Sequence, residues 1–282
     1  MNLNLNWKSM WAIIQKEVLD SVRNKWVLAI TLIFIILALL ISYFGSTASA
    51  STGEEVGFRG FDLTILFILT IAELLIPIIA LMLGYGAIVS EKEKGSLDLL
   101  VSMPISRAQI FVAKFLGLSM VLFISIFVGF GLAGIVIAAF AGSAQWAVYL
   151  SFISASALIG LVFLSLAMLL STVMKRRSTA MGGAVLLWFL FIWIYTLVLF
   201  GVAAAMGVFD PGATVPDSFF ALQLISPVSS YEVMTLTELG AFTGSDLPWF
   251  YNGITAWAID ALWIFIPLLF SLRLFTKKDI QR

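Results

Sequence analysis

Glu91-Lys92-Glu93-Lys94-Gly95-Ser96-Leu97-Asp98-Leu99-Leu100-Val101-Ser102-Met103-Pro104-Ile105-Ser106-Arg107 is the most charged stretch of a chain that is 61 % hydrophobic and 11 % charged. Long apolar runs flank it at 63–89 and 110–141. Its local code is specific. Gly95 is a weak helix former that can end the helix arriving through Glu91 and Glu93. Ser96 can cap a new short helix, with Asp98 favourable in its first turn. Leu97, Leu100 and Val101 share one apolar face, and Pro104 stops the helix, pushing Met103 toward extended geometry. Ser106 and Gln109 around Arg107 fit a capping box, with Ile105 and Ile110 at the staple positions. The pattern predicts helix, break, short helix, break and capped helix, which together make a rigid elbow between two apolar spans.

A soluble domain carries about a quarter charged residues, so lipid is the natural solvent for this chain of 282 residues. Apolar runs at about 26–44, 63–89, 110–141, 147–173, 181–208 and 251–271 are each long enough to cross a bilayer. Backbone groups in lipid must be satisfied within the segment, and no alternating ten-residue pattern suggests a barrel. The expected fold is therefore all-α and polytopic, with six transmembrane helices in one domain over 1–282. Residues 7–25 predict an amphipathic helix in the membrane interface, with Trp7, Met10 or Trp11, Ile14, Val18, Val22 and Trp26 on one stripe. The polar lead of 25 residues argues against a cleaved signal peptide despite the small residues at 48–50. Fifteen of the sixteen Lys and Arg fall at one end of this layout, with Arg59 alone at the other. The positive-inside rule makes the basic end cytoplasmic, with both termini there.

The residue inventory excludes several chemistries. With no Cys and no His there is no disulfide, no thiolate or imidazole metal site, and no Ser-His or Cys-His nucleophile. Zero net charge gives no reason to expect a nucleic-acid partner. The ten Met lie scattered through apolar runs, as packing residues do. Glu73 and Asp260 are the acids inside the spans, and intramembrane acids raise a functional hypothesis by default. No Lys or Arg within a span is expected to pair with them, so they should be protonated or bonded to hydroxyl or indole groups. Glycines at 117, 129, 131, 134, 182 and 183 permit close helix approach. A tight turn is expected at 142–146. Segment 209–250 has five acids, four prolines and no Lys or Arg, with short helices expected near 219–222 and 228–239 at the outer surface. It reads as a solvated cap or as a docking face for an outer partner.

The motif Glu-x-Glu-x-Gly-Ser-Leu-Asp-Leu-Leu-x-Ser-x-Pro-Ile-Ser-Arg-x-x-Ile-x-x-x-Lys-Phe-Leu-Gly, at 91–117, resembles the signature of ABC-2-type permeases, the membrane subunits of ATP-binding-cassette exporters. Gln15-Lys16-Glu17-x-x-Asp20-x-x-Arg23-Asn24-Lys25-Trp26 is similar to the family's first helix. Within the family, the short linker after span one and the overall length look most like the permease of the copper-enzyme maturation transporter NosDFY. The resemblance implies that 91–103 is the coupling helix docking on an ATPase subunit, with Glu91, Glu93, Gly95, Ser96, Leu97, Asp98, Leu100, Val101, Pro104 and Arg107 in and around that contact. It makes the helix with Lys16, Glu17, Asp20 and Arg23 an interfacial connecting helix, and Lys175-Arg176-Arg177 a second cytoplasmic contact. It further implies two permease copies over two ATPase subunits in the cell membrane. No Gly-x-x-x-x-Gly-Lys-Ser/Thr occurs, so this chain is expected to hold no cofactor and to have no catalytic activity, with ATP and Mg on the partner chain. Three other readings remain. A secondary transporter would require inverted repeats, of which only Pro77 and Pro267 give a hint. An intramembrane enzyme would require Glu73 and Asp260 to face each other. A mechanotransmitter acting on an extracytoplasmic protein would use the same fold.

Overall fold

The six apolar runs are helices in a computed structural model that describes residues 7–51, 60–96, 105–140, 145–210, 214–242 and 247–277. Helix α1 is Trp7–Arg23, α2 Lys25–Ser51, α3 Gly60–Gly84, α4 Val89–Glu93, α5 Arg107–Phe140 and α6 Trp146–Val173. Helix α7, Arg177–Phe189, continues through a π turn at Leu190–Ile194 into α8, Tyr195–Ala205. Then follow α9 (Asp217–Ile225), α10 (Pro227–Glu238) and α11 (Gly253–Lys277), and no strand occurs among the described residues. Six stretches are long and apolar enough to cross a membrane: α2, α3 with α4, α5, α6, α7 with α8, and α11. Several helices run past the expected limits, because hydrogen bonding carries a helix on beyond the apolar stretch to its next break. The expected turn at 142–146 and the short helix at 96–103, with Leu97, Asp98, Leu100, Val101 and Pro104, fall almost wholly outside the described residues.

The capping box is formed as its spacing predicts. The Ser106 N–H donates to Gln109 Oε1 at 3.1 Å and the Gln109 N–H to Ser106 Oγ at 3.2 Å. The staple residues Ile105 and Ile110 are buried in a small core with Met10, Ile13, Ile14 and Ala113. Gly95 ends α4 with φ of 69°, a conformation only glycine adopts cheaply. Span two breaks earlier than expected, at 85–88, between α3 and α4. The Ile88 and Val89 N–H groups at this break both donate to Ser171 Oγ, at 2.8 and 3.1 Å.

Helix α6 is the hub, packing against α3, α5, α7, α10 and α11. Contacts of α3 with α6 step from Gly160–Ile76 to Gly84–Ala167, and those of α6 with α11 from Ser165–Trp263 to Thr172–Ser271. These three helices therefore run in the same direction. At Gly84 an added Cβ would stand 2.6 Å from Ala167 Cβ, so glycine permits the close approach there. An aromatic ladder, Phe34–Phe130–Phe152–Tyr231, joins α2, α5, α6 and α10 with ring centroids 5.0, 4.9 and 6.3 Å apart.

One expectation is refined and one needs correction. On α1 the face packed on α5 is Met10, Ile13, Ile14, Glu17 and Ser21, while Trp7, Trp11 and Val22 are exposed. The packed face thus shares Met10 and Ile14 with the expected stripe, leaves its Trp residues outward and includes a carboxylate. The outer-segment helices also do not lie wholly on the surface: α10 is buried along much of its length, while α9 keeps Asp217, Ser218, Ala221 and Ile225 exposed. The Trp263 indole donates to the Ile225 carbonyl at 3.0 Å, and Tyr231 and Ser156 hydroxyls meet at 2.8 Å. Trp263 and Ser156 each sit ten residues into their helices, about 15 Å at 1.5 Å per residue. So α9 and α10 form a hairpin whose turn, capped by Ser226 with Pro227 at the first position, reaches into the bundle from the acidic end.

Candidate functional site

At the basic end, the two motif stretches that are far apart in sequence meet around one lysine. Lys114 lies two turns into α5 and is 1 % exposed. Its ammonium contacts Glu17 Oε1 of α1 at 2.5 Å and Glu91 Oε1 of α4 at 2.8 Å. Lys16 donates to the same Glu91 oxygen at 2.9 Å. Two lysines and two glutamates therefore form a neutral, largely buried cluster tying α1, α4 and α5 together. Burial pulls the Lys16 ammonium down, but its bond to Glu91 and the charges of Glu17 and Asp20 outweigh this and hold it above the ordinary lysine value. Glu91 Oε2 is buried with no hydrogen-bond partner among the described residues.

The geometry around the lysine follows from small residues. At Gly117, one turn beyond Lys114, an added Cβ would stand 2.8 Å from Glu17 Cβ and 3.1 Å from the Ile14 carbonyl. Glycine lets α1 lie against α5 closely enough for Glu17 to reach the ammonium. A cavity of 440 Å³ opens beside the cluster, lined among others by Lys16, Asp20, Tyr85, Glu91, Lys94 and Arg177.

The second predicted contact joins the same assembly through one of its three residues. The Arg177 backbone N–H donates to Glu93 Oε1 at 2.8 Å, and its guanidinium donates to the Tyr85 hydroxyl at 3.1 Å. Lys92 donates to the Thr172 carbonyl in the last turn of α6 at 3.2 Å, where the helix dipole favours a cation. Lys175, Arg176, Asp20 and Arg23 are exposed, and Ser96 donates to the Glu91 carbonyl at 3.4 Å. Gly95 terminates α4, and Arg107 opens α5. Lys114 is outside the contact residues that the resemblance implies, yet it is the residue on which the cluster turns; a lysine inside an apolar run that starts a span is itself a signal that acids from elsewhere must reach it. Tyr85 and Ser171 carry no comparable sequence signal.

Glu73 lies on α3, which packs against α10, and its Oε2 is buried with no hydrogen-bond partner among the described residues. Asp260 is fully buried, and neither carboxyl oxygen has a hydrogen-bond partner among the described residues. Among the described residues no hydroxyl or indole reaches Glu73 Oε2 or either Asp260 oxygen, which leaves protonation as the expected alternative, and no contact brings Glu73 and Asp260 together.

Residues 11–280 match the family model described as ABC-2 family transporter protein. The chain belongs to this family. It is 34 % identical to "Probable ABC transporter permease protein NosY" of Pseudomonas aeruginosa, over 96 % of this chain and 99 % of that one. It is 35 % identical to the protein of the same name from Stutzerimonas stutzeri, over 95 % and 98 %. As an ABC-2 family protein with six membrane-crossing helices, it is a membrane-spanning permease component of an ABC transporter. Membership implies an ATPase partner and pairing of permeases. The buried cluster joins the two stretches of this ABC-2 permease, 15–26 and 91–117, on which the family resemblance rests.

Proposed function

We propose that this chain is the permease subunit of an exporter and that the Lys114 cluster is the junction through which ATP-driven motion enters the membrane. The observation that carries this reading is the convergence of Glu17, Glu91 and Lys114 from three helices on one buried point. The coupling segment 91–103 docks on the ATPase. A push on it moves α4, which is tied by Glu91 to α5 and α1, and by Ser171 and Thr172 to α6. Close-packed, ion-paired helices shift together as a body. ATP and Mg are held by the partner, of which two copies sit beneath two permeases. This chain holds no cofactor and is not an enzyme. The basic end and both termini are cytoplasmic, and the membrane is the cell membrane.

The test is co-purification with the ATPase before and after Leu97→Glu and Leu100→Glu. The expected outcome is loss of both association and coupled ATP hydrolysis, while the permease stays in the membrane. Undiminished association with coupled hydrolysis would refute the docking assignment.

A second reading is favoured by the two relatives named NosY. In it the same motion, as in NosDFY-like copper-enzyme maturation, is passed to an extracytoplasmic protein docked on the α9–α10 hairpin. ATP-dependent crosslinking of that hairpin to an outer protein, with no solute accumulating in vesicles, separates it from export.

A further inference from the structure

The cavity beside the Lys114 cluster has a part that the cluster does not use. Its charged lining is four cations and three carboxylates. Lys16, Lys114, Glu17 and Glu91 balance one another. Asp20 then stands against Lys94 and Arg177, so one positive charge of the described lining is left over. Glu93, which accepts from the Arg177 backbone, does not line the cavity. Lys94 makes no ion pair among the described residues, and the Arg177 guanidinium donates to a hydroxyl, that of Tyr85.

The unspent donors gather around one glycine. At Gly86 an added Cβ would stand 2.9 Å from Ser90 Oγ and 3.9 Å from Arg177 Nε. Lys94 follows Ser90 by one helical turn, its N–H donating to the Ser90 carbonyl at 3.2 Å, and both side chains line the cavity. Tyr85 steadies the guanidinium from one side, through its hydroxyl and through its ring, whose centroid is 5.6 Å from the guanidinium carbon. A hydroxyl, a guanidinium and an ammonium beside a backbone without a side chain suit the oxygens of a phosphate.

The other end of the cavity leads along the membrane. It shares Ser21 and Val27 with an apolar groove of 160 Å³ between α1, α2 and α5. The groove follows α2 to Thr31 and Leu32 and α5 to Ile124 and Ser125, deeper into the spans. Leu28, Leu32 and Ile124 on its walls are about half exposed, so it faces acyl chains. Trp26, next to Val27, is 72 % exposed, and tryptophan gathers at the membrane–water boundary. Cavity and groove therefore meet at head-group depth. A free phosphate would fill the polar part alone, whereas a phospholipid has both parts in this order.

We propose that cavity and groove together hold one phospholipid of net charge minus one, with its phosphodiester on Ser90, Lys94 and Arg177 and an acyl chain between α2 and α5. Phosphatidylglycerol meets this description. Its phosphodiester cancels the positive charge left over in the lining, whereas the quaternary ammonium of phosphatidylcholine restores it. The lipid is a wedge between α1 and the break that separates α3 from α4. The site needs no ATPase, so its test stands apart from the coupling assignment.

The test is native mass spectrometry of the full chain in detergent, titrated with dioleoyl phosphatidylglycerol, dioleoyl phosphatidylcholine or soluble glycerophosphoglycerol. The expected result is one phosphatidylglycerol per chain, held about fivefold or more tighter than phosphatidylcholine, with the chain-free head group binding far more weakly than the whole lipid. Lys94→Gln and Arg177→Gln should each weaken phosphatidylglycerol binding by about fivefold, the effect of one cation at an anionic lipid. Lys94 is exposed and unpaired among the described residues, so its variant tests the site without disturbing the packing. Lys175 is a neighbouring exposed cation outside the lining. Lys175→Gln should change binding by less than about twofold, because exposed charges away from the ligand are screened. Equal losses in the Lys175 and Lys94 variants would mean diffuse attraction to a basic surface and overturn the site. Equal affinity for the two lipids overturns it as well, as does head-group binding as tight as that of the whole lipid.

Discussion

Lys114→Met is expected to destabilise the folded protein by about 3–5 kcal/mol, the largest effect of any single substitution at the basic end. Methionine keeps most of the volume of the aliphatic stem, so the loss is electrostatic. Glu17 and Glu91 would face each other as buried carboxylates, with Lys16 the remaining cation on Glu91. Removing one partner of a buried ion pair is far more costly than removing the pair, because the other charge stays desolvated. The triple variant Lys114→Met, Glu17→Gln, Glu91→Gln is therefore expected to recover most of the stability while leaving ATP hydrolysis uncoupled. Lys16→Ala provides the contrast. Its side chain is 48 % exposed, and its loss should cost less than about 1 kcal/mol. Thermal unfolding in a fixed lipid or detergent measures all three. A Lys114→Met protein as stable as wild type would show that the cluster does not hold the three helices together.

The parts of this site differed in how far they could be read from sequence, and the difference is physical. Local signals were legible because they act over one turn. The Ser106–Gln109 box and the Ile105–Ile110 staple are complete within six residues and formed as spaced. The six spans were legible because bilayer thickness imposes a length, and charge segregation checked their number. Which face of α1 packs was not legible, because hydrophobicity alone ranks Trp7, Trp11 and Val22 above Glu17. Glu17 faces inward because Lys114, 97 residues away, must be neutralised. The depth of the α9–α10 hairpin was hidden for a similar reason. Acids and prolines read as surface, yet Tyr231, Ser226 and Ser230 of this segment are fully buried, with the Tyr231 and Ser230 hydroxyls hydrogen-bonded. Glu232 reads with the outer loop for the same reason, yet its helix α10 packs against α3 and α6, a contact that no local pattern encodes.

Ser171→Ala is expected to cost about 2–4 kcal/mol, far more than loss of a typical serine hydroxyl. Several serines of these helices bond their own preceding turn, as Ser154 does to the Leu150 carbonyl on an exposed face. Ser154→Ala should be close to neutral. Ser171 Oγ instead accepts from both Ile88 and Val89, two N–H groups that the break between α3 and α4 leaves without helical partners. All three residues are fully buried, so no water replaces the hydroxyl and each orphaned donor keeps its desolvation penalty. Hydrogen exchange of the Ile88 and Val89 amides should accelerate in the variant, while amides in the middle of α6 keep their protection. Unchanged exchange at 88 and 89 would mean that this hydroxyl does not hold the break. The consequence reaches the charge cluster, because Glu91 follows Val89 by two residues on α4. An α4 released from α6 no longer fixes Glu91 against Lys114, so Ser171→Ala and Lys114→Met should be non-additive. A double-mutant cycle should return a coupling of about 0.5–3 kcal/mol for sites joined through one rigid element. Strict additivity would mean that α4 is held by the cluster alone, and motion at the basic end would then pass to α5 and α1 without engaging α6.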